Sequence, residues 1–121
     1  MTRHEILALF QQWNNAIQTG EPKQAAALYA KNAVLLPTIS NTVCQNHQDI
    51  ETYFAIFMAR KPIGKIDMAD VRIFDQLATN TGVYTFSFKD GTCVKARFTF
   101  IYQLIDNRWL ISHHHSSQMP E

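Results

Sequence analysis

The sequence is poor in the residues that staple a chain together or break it up. Cysteine occurs twice, at Cys44 and Cys93, and glycine and proline four times each. Two cysteines so far apart lack the spacing of a zinc site, and they read as free thiols in a reducing compartment. Charge is also sparse: 17% of the 121 residues are charged, and the net charge is +1 with neutral histidines. The lysines and arginines are scattered, so no basic stripe can track a phosphate backbone and nucleic acid is not an expected partner. Long apolar runs are missing too. The opening "MTRHEILALFQQW" has a five-residue apolar run before its glutamines, too short for a signal-peptide core. Nothing approaches the about 18–20 apolar residues of a membrane span. The expectation is a cytoplasmic protein with no membrane partner.

What the chain does have is core. It is 46% hydrophobic, enough for one domain over residues 1–121 to bury a core without disulfides or structural metal. "TRHEILALFQQWNNAIQTG" opens with a capping box, Thr2 to Glu5. Ile6, Phe10, Trp13 and Ile17 follow at helical spacing, and Gly20 supplies a left-handed stop. This predicts a helix over about residues 3–19. "EPKQAAALYA" is a short second helix with Pro22 in its first turn. "AVLLP" reads as a brief buried strand, with "VCQ" as a partner strand. Asn46 caps a third helix, "HQDIETYFAIFMAR", which "KPIG" ends. Everything after Gly64 reads as strand: "KIDMADVRIFD", "TNTGVYTFSFK", "TCVKARFTFIYQLI" and "RWLISHHHSS". The last three are joined by Asp90-Gly91 and Asp106-Asn107, both suited to two-residue hairpin turns. The fold class is therefore α+β, with helices on one face of a four-strand antiparallel meander.

Turn length fixes register, and register fixes faces. Two-residue turns at both hairpins place Val83, Thr85, Ser87, Ala96, Phe98, Phe100, Tyr102, Ile111, His113 and His115 on the face toward the helices. Tyr84, Phe86, Phe88, Arg97, Thr99, Ile101, Leu110 and His114 fall on the other. That second face is too apolar to be merely solvated, and it reads as an assembly surface. A bulge in either hairpin would exchange the two sets.

The order helix, helix, strand, helix, meander resembles the nuclear transport factor 2-like superfamily. The ending "WLISHHHSS" resembles the association (hub) domain of calcium/calmodulin-dependent protein kinase II, which closes on a tryptophan strand and a His-x-His-x-Ser run. "WNNAIQTGEPKQAAALYAKNAVLLPT" and "IETYFAIFMARKP" resemble the helical half of that group and of small SnoaL-like proteins. The resemblance implies a cone-shaped, cystatin-like α+β fold, with three helices packed on a curved antiparallel sheet. It also implies homo-oligomers, dimers at least, joined through the convex sheet face, and a cavity between sheet and helices. The hub's pocket arginines fall here at about Thr85, Phe100 and Ser116, none of them basic. The kinase activity does not carry over, because this chain contains no kinase domain.

His113 and His115 alternate along one strand, so both can face one cavity. Four readings of them stand open: a metal site, a catalytic pair, a ligand-binding edge, or polar residues closing a strand. Zinc wants a third protein ligand and none converges, so no metal and no cofactor are expected. The expected ligand-binding set is His113, His115, Phe100, Tyr102, Thr85, Trp13 and Tyr53, with Arg97 nearby in sequence but on the far face. Its ligand would be a small organic acid or an apolar molecule. Ketosteroid isomerase chemistry needs a cavity aspartate, and this register places no acid on the helix-facing side. The first function expected is a self-associating binding module. The alternative is a small cofactor-free lyase or isomerase, SnoaL-like or dehydratase-like, using the His113/His115 pair.

Overall fold

The structure is a computed structural model that describes residues 1–38 and 40–120. Helix α1 spans Arg3–Ile17, and its capping box forms as the sequence predicts. The Glu5 amide donates to Thr2 Oγ1 at 3.2 Å, and the Thr2 amide donates to Glu5 Oε1 at 3.0 Å. Its stripe of Ile6, Phe10, Trp13 and Ile17 is buried. Helix α2, Pro22–Ala26, is shorter than its alanines suggest. Strand β1, Tyr29–Leu36, takes over instead, because Tyr29 already pairs with the C-terminal strand. The "VCQ" partner strand reduces to one bridge, Leu35 to Cys44. Helix α3, His47–Ala59, is capped by Asn46 Oδ1, which accepts from the Asp49 amide at 2.9 Å.

Four long strands follow: β2 Ile63–Phe74, β3 Leu77–Ser87, β4 Cys93–Ile105 and β5 Arg108–Gln118. They form the antiparallel meander expected, and β1 joins its far edge parallel to β5. The five-stranded order is β1-β5-β4-β3-β2. The three helices pack on one side of this curved sheet. Asn14 ties α1 to the start of β2: its amide donates to the Gly64 carbonyl at 2.9 Å and accepts from the Gly64 amide at 2.8 Å.

Register departs from expectation at two points. Asp106-Asn107 is the two-residue turn predicted, with φ of 49° and 64°, and Ile105 pairs with Arg108. The other hairpin is not. There the Phe88 amide donates to the Thr92 carbonyl and the Gly91 amide to the Phe88 carbonyl, so three residues form the loop, with Gly91 left-handed at φ 90°. This one-residue slip pairs Tyr84, rather than Thr85, with Ala96. Tyr84, Phe86 and Phe88 turn inward, and Val83, Thr85 and Ser87 turn outward. The second departure is a bulge in β5. Tyr102 pairs with Ile111 but Ile101 with His113, leaving Ser112 without a partner of its own. From there His114 and Ser116 point inward, buried, while His113 and His115 are exposed on the convex face.

The inner face is dense with rings. Trp13 stacks on Tyr84 at 6.3 Å between centroids and meets Phe100 edge-on at 5.5 Å. Phe10 contacts Phe98 at 6.4 Å. Burying each such side chain stabilises by about 1.5–3 kcal/mol, which gives the slipped register its advantage. It hides three aromatics where the expected one would hide a valine, a threonine and a serine.

Candidate functional site

A pocket of about 190 Å³ opens between the sheet and α3. Its inner wall is formed by Trp13, Phe54, Tyr84, Ala96, His114 and Ser116, all buried. Tyr53, Phe57, Phe88 and Val94 form its flanks, and Thr38 lies beside Ser116. Ile56, 70% exposed, and Arg60 mark the mouth. Arg60 lies over the Phe88 ring, its guanidinium carbon 3.8 Å from the centroid. Such a contact suits the weakly hydrated, planar guanidinium.

His114 is the polar centre. Its ring stacks on Phe100 at 4.0 Å and stands edge-on to Trp13 at 5.5 Å. Nδ1 lies 2.8 Å from the Tyr29 hydroxyl and Nε2 lies 3.2 Å from the Tyr84 hydroxyl. Tyr29 in turn accepts from the Trp13 indole N–H at 3.1 Å. Tyr84 donates to Ser116 Oγ at 2.6 Å, and Ser116 Oγ lies 2.6 Å from Thr38 Oγ1. Burial, and secondarily the neighbouring His115, lowers the His114 pKa from 6.5 to about 3. Burial likewise pushes Tyr53 and Tyr84 well above the ordinary tyrosine value, against a smaller lowering at Tyr84 from its hydrogen bond with Ser116. Among the described residues the lining holds no aspartate or glutamate, and no cluster of three metal-ligating side chains exists.

The residues expected at the site divide three ways. Trp13 and Tyr53 line the pocket. Phe100 and Tyr102 are buried on the correct face but belong to the core beneath His114, stacked on each other at 5.7 Å. His113, His115, Thr85 and Arg97 are on the convex face. Thr85 donates to Asp67 Oδ2 at 2.6 Å there, and the His113 ring lies 2.6 Å from Ser112 Oγ. The His113/His115 pair thus does not face this pocket, because the bulge at Ser112 turns it outward; His115 instead lines an open surface pocket with Leu36, Thr42 and Val43. The central histidine is His114. With it, sequence reasoning missed Thr38, Tyr84 and Arg60, and the expected set did not include Tyr29 or Ser116, although the resemblance placed Ser116 at a pocket position. One signal was available: Tyr-x-Phe-x-Phe at residues 84–88 is a better core face than Val-x-Thr-x-Ser at 83–87.

Helices on one side of a curved five-stranded sheet, with a pocket between, define the nuclear transport factor 2-like class with a cystatin-like fold. A Nostoc punctiforme protein of unknown function with a cystatin-like fold superposes with a TM-score of 0.84 at 14% identity, over 98% of this chain and 92% of its own. A nuclear transport factor 2-like protein of unknown function from Pseudomonas putida superposes with a TM-score of 0.85 at 19% identity, over 98% and 87%. Within that class the chain belongs to the calcium/calmodulin-dependent protein kinase II association domain family, whose model matches residues 2–120. A Xanthomonas campestris protein described as such an association domain is 47% identical, with a TM-score of 0.96 over 100% of this chain and 90% of its own. No curated protein matches the chain significantly. Among the described residues no helix is long and apolar enough to cross a membrane.

Proposed function

We propose that the protein is a self-associating binding module: a homo-oligomer, at least a dimer, whose pocket takes a small molecule. One observation favours binding over catalysis. No group on the pocket's inner wall changes charge near neutrality. General acid–base work needs a pKa close to the operating pH, whereas His114 is held near 3 and Tyr53 and Tyr84 are pushed upward by burial. The lyase or isomerase alternative rested on two histidines that are on the opposite face. Without them it has no acid–base pair.

Membership of an association-domain family supports self-assembly. The surface available for it is the convex sheet face, now without Tyr84, Phe86 and Phe88. Val83, Thr99, Ile101 and Leu110 lie there half-buried, next to exposed Arg97 and His113. An isologous dimer would cover this patch with its own copy. Two free thiols fit a reducing cytoplasm, and residues 1–121 would act as one domain. Light scattering at tens of micromolar tests the assembly. The expected mass is twice that of the chain or more, and Ile101→Glu, at a position not fully buried, is expected to give a folded monomer. A monomeric wild-type protein would overturn the reading.

A further inference from the structure

Trp13 sets the direction of the hydrogen bonds that run from Tyr29 to Ser116. An indole N–H can only donate, and Trp13 donates to the Tyr29 hydroxyl oxygen at 3.1 Å. The Tyr29 hydrogen then has one acceptor within reach, His114 Nδ1 at 2.8 Å. A neutral imidazole that accepts at Nδ1 carries its proton on Nε2. It therefore donates to Tyr84 at 3.2 Å, and Tyr84 donates onward to Ser116 at 2.6 Å. Ser116 and Thr38, 2.6 Å apart, share two hydroxyl hydrogens. One of these joins the pair, whichever way it points. The other has no acceptor among the described residues and is left at the pocket wall.

We propose that this directed chain makes the pocket selective for a single-ring compound whose inner end is an uncharged hydrogen-bond acceptor, a ketone or amide carbonyl. The proposal rests on the binding reading above and adds the class of ligand. Size follows from volume: a cavity of about 150 Å³ accepts a benzene ring, and this one measures about 190 Å³, which adds a small substituent. The apolar walls suit the ring, and the leftover hydrogen needs an acceptor. A donor-only ligand leaves that hydrogen unpaired in an apolar site, which is costly. A carboxylate meets only hydroxyls at the inner wall. His114 cannot supply a cation while Nδ1 accepts from Tyr29, and Arg60 stands at the mouth over Phe88. An unpaired buried charge is a heavier loss than a neutral carbonyl.

Two measurements on the intact protein test this. Imidazole nitrogen NMR is expected to show His114 protonated on Nε2 with Nδ1 as acceptor; a proton on Nδ1 overturns the chain. Acetophenone, benzoate, benzylamine and ethylbenzene are then titrated by chemical-shift mapping. Acetophenone is expected to bind about tenfold or more tighter than benzylamine or ethylbenzene, and tighter than benzoate. Thr38→Val keeps that order, because Ser116 still has its hydrogen to give. Tyr84→Phe leaves the His114 Nε2 hydrogen without its acceptor, a second hydrogen in need of one, so the preference for acetophenone over ethylbenzene is kept or grows, and its loss overturns the chain. Binding without preference overturns the ligand class and leaves the binding module standing. No binding by any probe overturns both. If Tyr84→Phe does not fold, the tautomer, the wild-type order and Thr38→Val decide.

Discussion

His114 couples the stability of the fold to pH. In the unfolded chain it takes a proton at its ordinary pKa of 6.5, whereas in the folded protein it does so only near 3. Between those values the unfolded state binds the extra proton, so stability is complete above pH 6.5 and falls as pH drops toward 3. Each pH unit is worth about 1.4 kcal/mol, so the loss from this group between pH 7 and pH 5 is about 2 kcal/mol. Urea titrations at the two pH values should show it, and in His114→Gln this contribution should vanish. An unchanged pH dependence in the variant would mean that His114 is not held neutral. At the same scale, the histidine triplet shows what composition alone cannot do. Three adjacent imidazoles share one chemistry, yet His114 is 3% exposed while its two neighbours face outward.

At the level of elements, the local signals were reliable and the register was not. The capping box at Thr2, the Asn46 cap, the Gly20 stop and the Asp106-Asn107 turn each depend on a few neighbouring residues, and each was legible. The inward-facing set depended on two one-residue shifts. The first turned on whether Asp90-Gly91 closes a two-residue or a three-residue loop, and Asp90 helps decide it by accepting from the Thr92 amide at 2.9 Å and from its hydroxyl at 2.6 Å. The second, at Ser112, coincides with a shift in the β1 pairing, where Tyr29 meets Ile111 and Val34 meets His113. No window around "SHHHS" contains that information, because it comes from the far end of the chain. A further bulge, at Asp67 in β2 between the Ile66 and Met68 pairs, brings backbone onto Gly82. A Cβ there would stand 1.9 Å from the Met68 carbonyl oxygen. Gly82→Ala should therefore cost about 3 kcal/mol, at the upper end for overpacking. At Gly91 a Cβ meets nothing within 4 Å, and only the left-handed φ is penalised, by about 1–2 kcal/mol. Denaturation midpoints of the two variants will rank them; the reverse order would place the tight contact elsewhere.

For the whole molecule, the sheet order carries a consequence for how the fold is reached. Within each helix and each hairpin of the β2–β4 meander the paired residues are close in sequence, whereas Tyr29 and His114 stand 85 residues apart. Strand β1 takes its place in the sheet only through β5, so the pocket's polar wall is expected to form last. Closing so long a loop is entropically unfavourable before contacts repay it, and topologies rich in distant pairings fold slowly. Contacts made after the rate-limiting barrier affect escape from the native state rather than arrival. Leu35→Ala in β1 is accordingly expected to speed unfolding while leaving the refolding rate nearly unchanged, and Phe98→Ala in the meander to slow refolding. Stopped-flow measurements on both variants separate the two limbs. A large refolding defect in Leu35→Ala would mean that β1 and β5 meet early. With the expected order, a chain that has its helices and meander in place still cannot bind anything: occupancy of the pocket reports that the last strand has docked.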